Sequence, residues 1–219
     1  MRKYLITGAT GFIGKYLINK LLQNDDVSLI ATYRNKKAIF QEKKVTWIKF
    51  DLFESTSNLY EFFDCPEILI HLAWGNLPNY LDSYHNEVEL PAQKKFIENI
   101  VSEKLKNIFV LGSCFEYGMK EGEYIETAEV NPENSYAKAK VSLYKYIIEL
   151  KKKHEFSLTW GRLFYVYGKG QAKHTLYSQF LEAASKNIPF KMSPGDQRRD
   201  FLDIEEAVDH ISRLVKSHE

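Results

Sequence analysis

Cysteine is scarce in this 219-residue chain: Cys65 and Cys114 are the only two, and nothing in their placement suggests a disulfide framework. A reducing, cytoplasmic setting is the simplest expectation. No apolar run is long enough to cross a bilayer, which takes about 20 residues. Excess charge of either sign is missing too. Lysine and arginine number 30 against 29 aspartates and glutamates, so composition gives no reason to expect nucleic acid or an anionic membrane as partner. Internal repeats, low-complexity tracts and Pro/Gly/Ser linkers are absent, and the length suits one domain with a substantial core. Met1–Ile6 runs straight into strand and glycine loop and reads as mature chain, not as a targeting peptide. No metal site is expected.

What is present begins with Tyr4-Leu5-Ile6, a short apolar strand, followed by Thr7-Gly8-Ala9-Thr10-Gly11-Phe12-Ile13-Gly14. An amphipathic helix comes next, with Ile13, Leu17, Ile18, Leu21 and Leu22 at helical spacing. Strand, glycine loop and helix in that order make a dinucleotide site. Gly8 permits a tight turn, Gly11 lets backbone amides of the Phe12–Ile13 turn approach a pyrophosphate, and Gly14 lets the helix pack close to the strand. The positive helix end then faces the phosphates.

A second strand, Val27–Thr32, ends at Tyr33-Arg34-Asn35-Lys36-Lys37. A carboxylate at this place would bond the 2′-hydroxyl of NAD. None is here, and Arg34 offers a fork of donors to the 2′-phosphate of NADP, while Lys36 and Lys37 read as a solvated loop. Val45–Phe50 alternates like a strand and leads into Asp51-Leu52, a contact for adenine. Ile68–Trp74 reads as a buried strand whose end, Ala73 and Trp74, lines the cofactor, with His71 a core histidine rather than a catalyst. A helix from about 84 to 104 carries Asn86, and strand 107–111 delivers Gly112-Ser113 to the ligand-binding edge. Helix 135–153, strand 157–163, a helix at 176–185 and a last helix at 204–216 follow. The alternation predicts an α/β fold with a doubly wound parallel sheet.

Ser135-Tyr136-Ala137-Lys138-Ala139-Lys140 sets Tyr136 and Lys140 one helical turn apart on one face. An ammonium beside a phenol stabilises the phenolate, so the expectation is a tyrosine pKa drawn down from about 10. Near the end of the chain, Arg198 and Arg199 border a turn. One of them holds a diphosphate, or pairs with Asp200 or Glu205 as a structural bridge; the residues alone leave both open.

In order, TGATGFIG (7–14), HLAW (71–74), GSCFEYG (112–118) and SYAKAK (135–140) resemble the extended short-chain dehydrogenase/reductase family, in its nucleotide-sugar epimerase/dehydratase branch. GRLFYVYG (161–168) and RRDFLDI (198–204) extend the likeness over essentially the whole chain. The resemblance implies a Rossmann domain over 1–168 and a partial substrate lobe over 169–219. It also implies Ser113 as catalytic hydroxyl, Tyr136 as acid/base and Lys140 as ribose-binding lysine. Asn86, Tyr165 and Arg199 fall where the family meets its substrate, Tyr165 replacing a more usual asparagine. Dehydratases of the branch carry Asp-Glu directly after the serine or threonine, and Cys114-Phe115 stand there instead. Relatives continue beyond the last helix of this chain, so a truncated or shortened sugar-binding lobe is expected.

What the resemblance implies, taken with Arg34, is an NADPH-dependent reductase of a nucleotide-linked 4-keto-6-deoxyhexose. The alternatives are a 4-epimerase retaining NAD, and a non-catalytic NADP-binding sensor. A homodimer through the helices near 84–104 and 135–153 is expected by analogy.

Overall fold

The computed structural model describes residues 1–34, 43–54, 58–101, 105–119 and 121–216. Lys36 and Lys37 lie outside them. Six strands form one parallel sheet: β1 (Arg2–Thr7), β2 (Val27–Tyr33), β3 (Val45–Lys49), β4 (Ile68–His71), β5 (Asn107–Ser113) and β6 (Ser157–Leu163). Their order is β3-β2-β1-β4-β5-β6, so successive crossovers run outward in opposite directions from the β1–β4 pair. The reversal opens a crevice at the carboxyl ends of those two strands, where such sheets bind ligands.

Helices cover both faces because the strands are apolar on both. Behind one face, α1 (Phe12–Leu21) and α6 (Ile204–Lys216) bury Leu17, Ile18, Val208 and Ile211 against Tyr4, Ile6, Leu29 and Ile70. Against the other lie α2 (Leu59–Phe62), α3 (Leu90–Ile100) and α4 (Ser135–Lys151), with Phe96, Ile97, Leu143 and Ile147 packed on Leu5, Leu69 and Ile108. Beyond β6, β7 (Tyr165–Tyr167) pairs in parallel with β8 (Phe201–Asp203), and α5 (Leu176–Ser185) lies between them in sequence. α6 then returns to pack on α1.

Two expected elements are shorter than their hydrophobic runs. β4 stops at His71, not Trp74. Leu72 N–H still reaches the Thr7 carbonyl at 3.2 Å, but the Ala73 carbonyl is taken by the Gln93 amide at 3.0 Å, and the chain leaves the ladder there. The helix expected from 84 begins as a π-turn over His85–Glu89, with α-helical geometry only from Leu90. Pro91 explains the change: it has no N–H to close the turn before it.

Candidate active site

Gly8 sits at φ +70°, and a Cβ there would lie 2.8 Å from the Ala73 nitrogen. Only glycine lets the β1–α1 turn come this close to the chain leaving β4. A Cβ on Gly14 would meet the Gly8 carbonyl at 2.5 Å, so glycine also sets how tightly α1 approaches the turn. Gly11 is the N-cap of α1, makes no side-chain cap bond, and no acidic residue occupies the first turn. The N–H groups of Phe12 and Ile13 therefore stand uncapped at the positive helix end, as a bound diphosphate requires. These features fit a dinucleotide.

At the outer end of the crevice, Arg34 is exposed after β2. Burial raises the Tyr84 phenol, with Glu89 next in effect and Arg34 and Asp51 acting on it more weakly. Asp51 also accepts the Phe53 N–H at 3.2 Å, and Leu52 packs on the core beside it.

At the inner end, β5 delivers Ser113 and the first turns of α4 deliver Tyr136 and Lys140. Asn134 caps α4 by accepting the Ala137 N–H at 2.8 Å. The Ser113 side chain acts on the Tyr136 phenol as a hydrogen-bonding neighbour that lowers its pKa. Lys140 donates to the Leu111 carbonyl at 2.8 Å, and its Nζ lies 3.9 Å from the centre of the Trp74 ring. All three side chains are buried. Sites 23 residues apart in sequence, Ser113 and Tyr136, thus meet beside Lys140 at the mouth of the glycine crevice.

Electrostatics here depart from the expectation. Burial pushes the Tyr136 phenol well above its ordinary value, partly countered by the Ser113 hydrogen bond. The lysine does not pull it down, because the ammonium points to Leu111 and Trp74 and lies 5.9 Å from the Tyr136 ring centre. Burial also lowers Lys140 to about 7, with Glu116 and Glu89 working in the opposite direction.

His71 is, as expected, a satisfied core group. Thr7 donates to its Nδ1 at 2.7 Å, and Nε2 bonds the Gln93 side-chain carbonyl. Gln93 in turn donates to Glu89 at 2.7 Å. Burial holds His71 neutral, its pKa lowered to about 3.

Sequence reasoning missed Glu116. It is fully buried one turn past Ser113 and accepts the Ser113 N–H at 2.8 Å, closing a capping box. The Trp160 indole at 3.0 Å and Arg162 Nε at 2.8 Å complete its shell. The signal lay in the Ser-x-x-Glu spacing of Ser113 and Glu116, the signature of such a box.

Of the residues expected to meet substrate, Asn86 donates to the Ser135 carbonyl at 3.0 Å, bracing the start of α4. Tyr165 and Arg199 are brought together: the guanidinium donates to the Tyr165 hydroxyl, stacks 4.9 Å from its ring centre and donates to Gln197 at 3.0 Å. Tyr80 packs on Phe115 and Tyr136, with ring centres 4.9 and 5.6 Å apart. Burial raises the Tyr80 phenol, and Cys114 and Tyr165 add to the shift.

A model of the NAD dependent epimerase/dehydratase family matches residues 4–219. The chain belongs to that family. One member, the dTDP-6-deoxy-L-talose 4-dehydrogenase (NAD(+)) of Aggregatibacter actinomycetemcomitans, is 28% identical over 98% of this chain and 80% of its own length. The dTDP-4-dehydro-6-deoxyglucose reductase of Escherichia coli is 25% identical over 93% of this chain and 69% of its own. Among solved structures, MoeE5 in complex with UDP-glucuronic acid and NAD superposes with a TM-score of 0.82 at 25% identity, over 98% of this chain and 72% of that one. The UDP-glucuronic acid 4-epimerase of Bacillus cereus has the same fold, with a TM-score of 0.82 at 20% identity over 99% and 74%. The resemblance of sequence, the doubly wound sheet and this kinship agree: the protein is an enzyme of the NAD(P)-dependent oxidoreductase/epimerase type. Among the described residues no helix is long and apolar enough to cross a membrane.

Proposed function

We propose that this family member is a cytoplasmic, homodimeric, NADPH-dependent reductase of a nucleotide-linked 4-keto-6-deoxyhexose. The observation that carries the reading is the gathering of the buried Ser113 and Tyr136 hydroxyls beside a buried lysine at the end of the glycine crevice. Gly8, Gly11, Gly14, Phe12 and Ile13 would hold the diphosphate, with Asp51, Leu52, Ala73 and Trp74 along the nucleosides and Lys140 at a ribose. Arg34, in a Tyr33–Lys37 sequence that holds no carboxylate, would take the 2′-phosphate. When bound, the nicotinamide supplies the hydride.

Tyr136 holds the proton that the substrate oxygen takes as it becomes a hydroxyl. A phenol raised by burial stays protonated at neutral pH, which suits a donor and so the reductive direction. Ser113 hydrogen-bonds the same oxygen as negative charge gathers there, an interaction strongest in the transition state. Asn86, Tyr165 and Arg199 are assigned to the nucleotide sugar, the last two as one stacked unit.

Dehydration is disfavoured by the turn after Ser113. Its one carboxylate, Glu116, already accepts from Ser113, Trp160 and Arg162, and Cys114 and Phe115 offer no acid–base pair.

Incubation with NADPH, and separately NADH, and a panel of nucleotide-linked 4-keto-6-deoxyhexoses tests the reading. Expected are absorbance loss with NADPH, a preference weakened by Arg34→Ala, and a purified protein free of tight nucleotide. Retained NAD with sugar epimerisation would replace the reductase by the epimerase. Light scattering tests the dimer, placed at α3 and α4.

A further inference from the structure

We propose that Trp74 is a positioning residue of this site: its indole face, fixed by His85, clamps the Lys140 ammonium. Lys140 Nζ lies 3.9 Å from the indole centre, well inside the roughly 6 Å range of cation–π attraction. The lysine is 3% exposed, so its charge has lost most of its water and depends on what the protein supplies. Leu111 supplies one carbonyl at 2.8 Å. The π face of Trp74 supplies a second close contact.

The ring is not free to turn away. Its Nε1–H donates to His85 Nδ1 at 3.1 Å, and His85 Nε2 donates to the Asn79 carbonyl at 3.1 Å. The second bond fixes the tautomer, leaving Nδ1 as the acceptor the indole needs. The same indole meets the Tyr136 ring edge-on, centres 5.6 Å apart at 80°. One side chain from the segment after β4 therefore touches both functional groups of α4. A small residue at position 74 would touch neither.

Other titratable groups act on this lysine from every side: Glu116 from the turn after β5, Glu89 from the π-turn, His71 from β4 and Tyr136 on its own helix. His71 is neutral through the physiological range, and the two carboxylates favour the ammonium. Burial opposes them and brings Lys140 to about 7, so the side chain is charged below that pH and neutral above it. Trp74 acts on the charged side of this balance. Replacing it by an apolar side chain that keeps the site dry moves the titration to lower pH.

The functional consequence rests on Lys140 being the cation of the site; the Trp74–Lys140 coupling does not. The test is NMR of protein carrying ¹³Cε-lysine, without nucleotide, with the Lys140 signal identified by Lys140→Arg. Trp74→Leu is expected to lower its titration midpoint by about 0.5–1.5 pH units. Trp74→Phe, which keeps a π face but no N–H for His85, should shift it less. An unchanged midpoint in Trp74→Leu overturns the proposal. If Trp74→Leu does not fold, Trp74→Met, which keeps apolar bulk but no π face, decides: a downward shift supports the clamp and an unchanged or raised midpoint refutes it. Failure to reduce any nucleotide-linked keto sugar would end the reductase reading and leave this titration result standing.

Discussion

Glu116→Ala removes the anion at the centre of a buried network and leaves its partners in place. Arg162, whose side chain is 17% exposed, would keep its charge with no carboxylate at 2.8 Å. Trp160 and the Ser113 backbone would each lose an acceptor. Breaking one side of a buried ion pair costs about 3–5 kcal/mol, because the remaining charge stays desolvated. In a domain of this size each kcal/mol lowers Tm by about 2–4 °C, so the expected fall is about 10 °C.

Glu116→Gln is not a rescue. One oxygen could still accept from Ser113 and Trp160, but the amide NH₂ would then face the Arg162 N–H, donor against donor. It should lose about half as much or more. Replacing both partners, Glu116→Leu with Arg162→Met, should cost less than the sum of the single changes by about 1–3 kcal/mol. Thermal unfolding followed by circular dichroism reads all three. Turnover measured well below each Tm should also drop, since the turn that presents the Ser113 hydroxyl has lost its cap. A Tm for Glu116→Ala within about 2 °C of the parent, or strict additivity in the double variant, would refute the account.

Tyr136→Phe should keep the fold and nucleotide binding while turnover falls by about 10²–10⁴-fold, the usual share of proton transfer; stopped-flow turnover and nucleotide titration separate the two. Gly8→Ala must adopt φ +70° and place a methyl against the Ala73 backbone, so nucleotide affinity, measured by calorimetry, should fall at least about tenfold, with a lower Tm. Acid stability should carry the mark of His71. Its pKa is lowered to about 3, so the unfolded chain takes up a proton that the folded chain refuses. Stability from this group is complete above its ordinary pKa of 6.5 and is lost as pH falls towards 3, at about 1.4 kcal/mol per pH unit. Urea melts from pH 7 to pH 4 should show a steeper decline than in His71→Gln, provided the variant folds. Equal slopes would mean that His71 is not held neutral.

Much of this site was written in local patterns. TGATGFIG gave the glycine crevice, because tight approach of backbone to backbone needs glycine at fixed intervals there. The one-turn spacing of Tyr136 and Lys140 gave their common helix face. Less visible was anything depending on residues distant in sequence. Glu116 becomes a buried anchor only through Trp160 and Arg162 on the neighbouring strand. The pairing of β7 with β8 joins two three-residue segments whose sequences carry no period long enough to read.

By itself, then, the sequence determined the alternation of strand and helix, the glycine turn at the head of α1 and the common helix of Tyr136 and Lys140. Each follows from steric and periodic rules that act over a few residues. Tertiary structure decided the electrostatics. Whether a phenol near a lysine is drawn down or pushed up depends on how much water each has lost and where the ammonium points, and here burial and the Trp74 ring settled both.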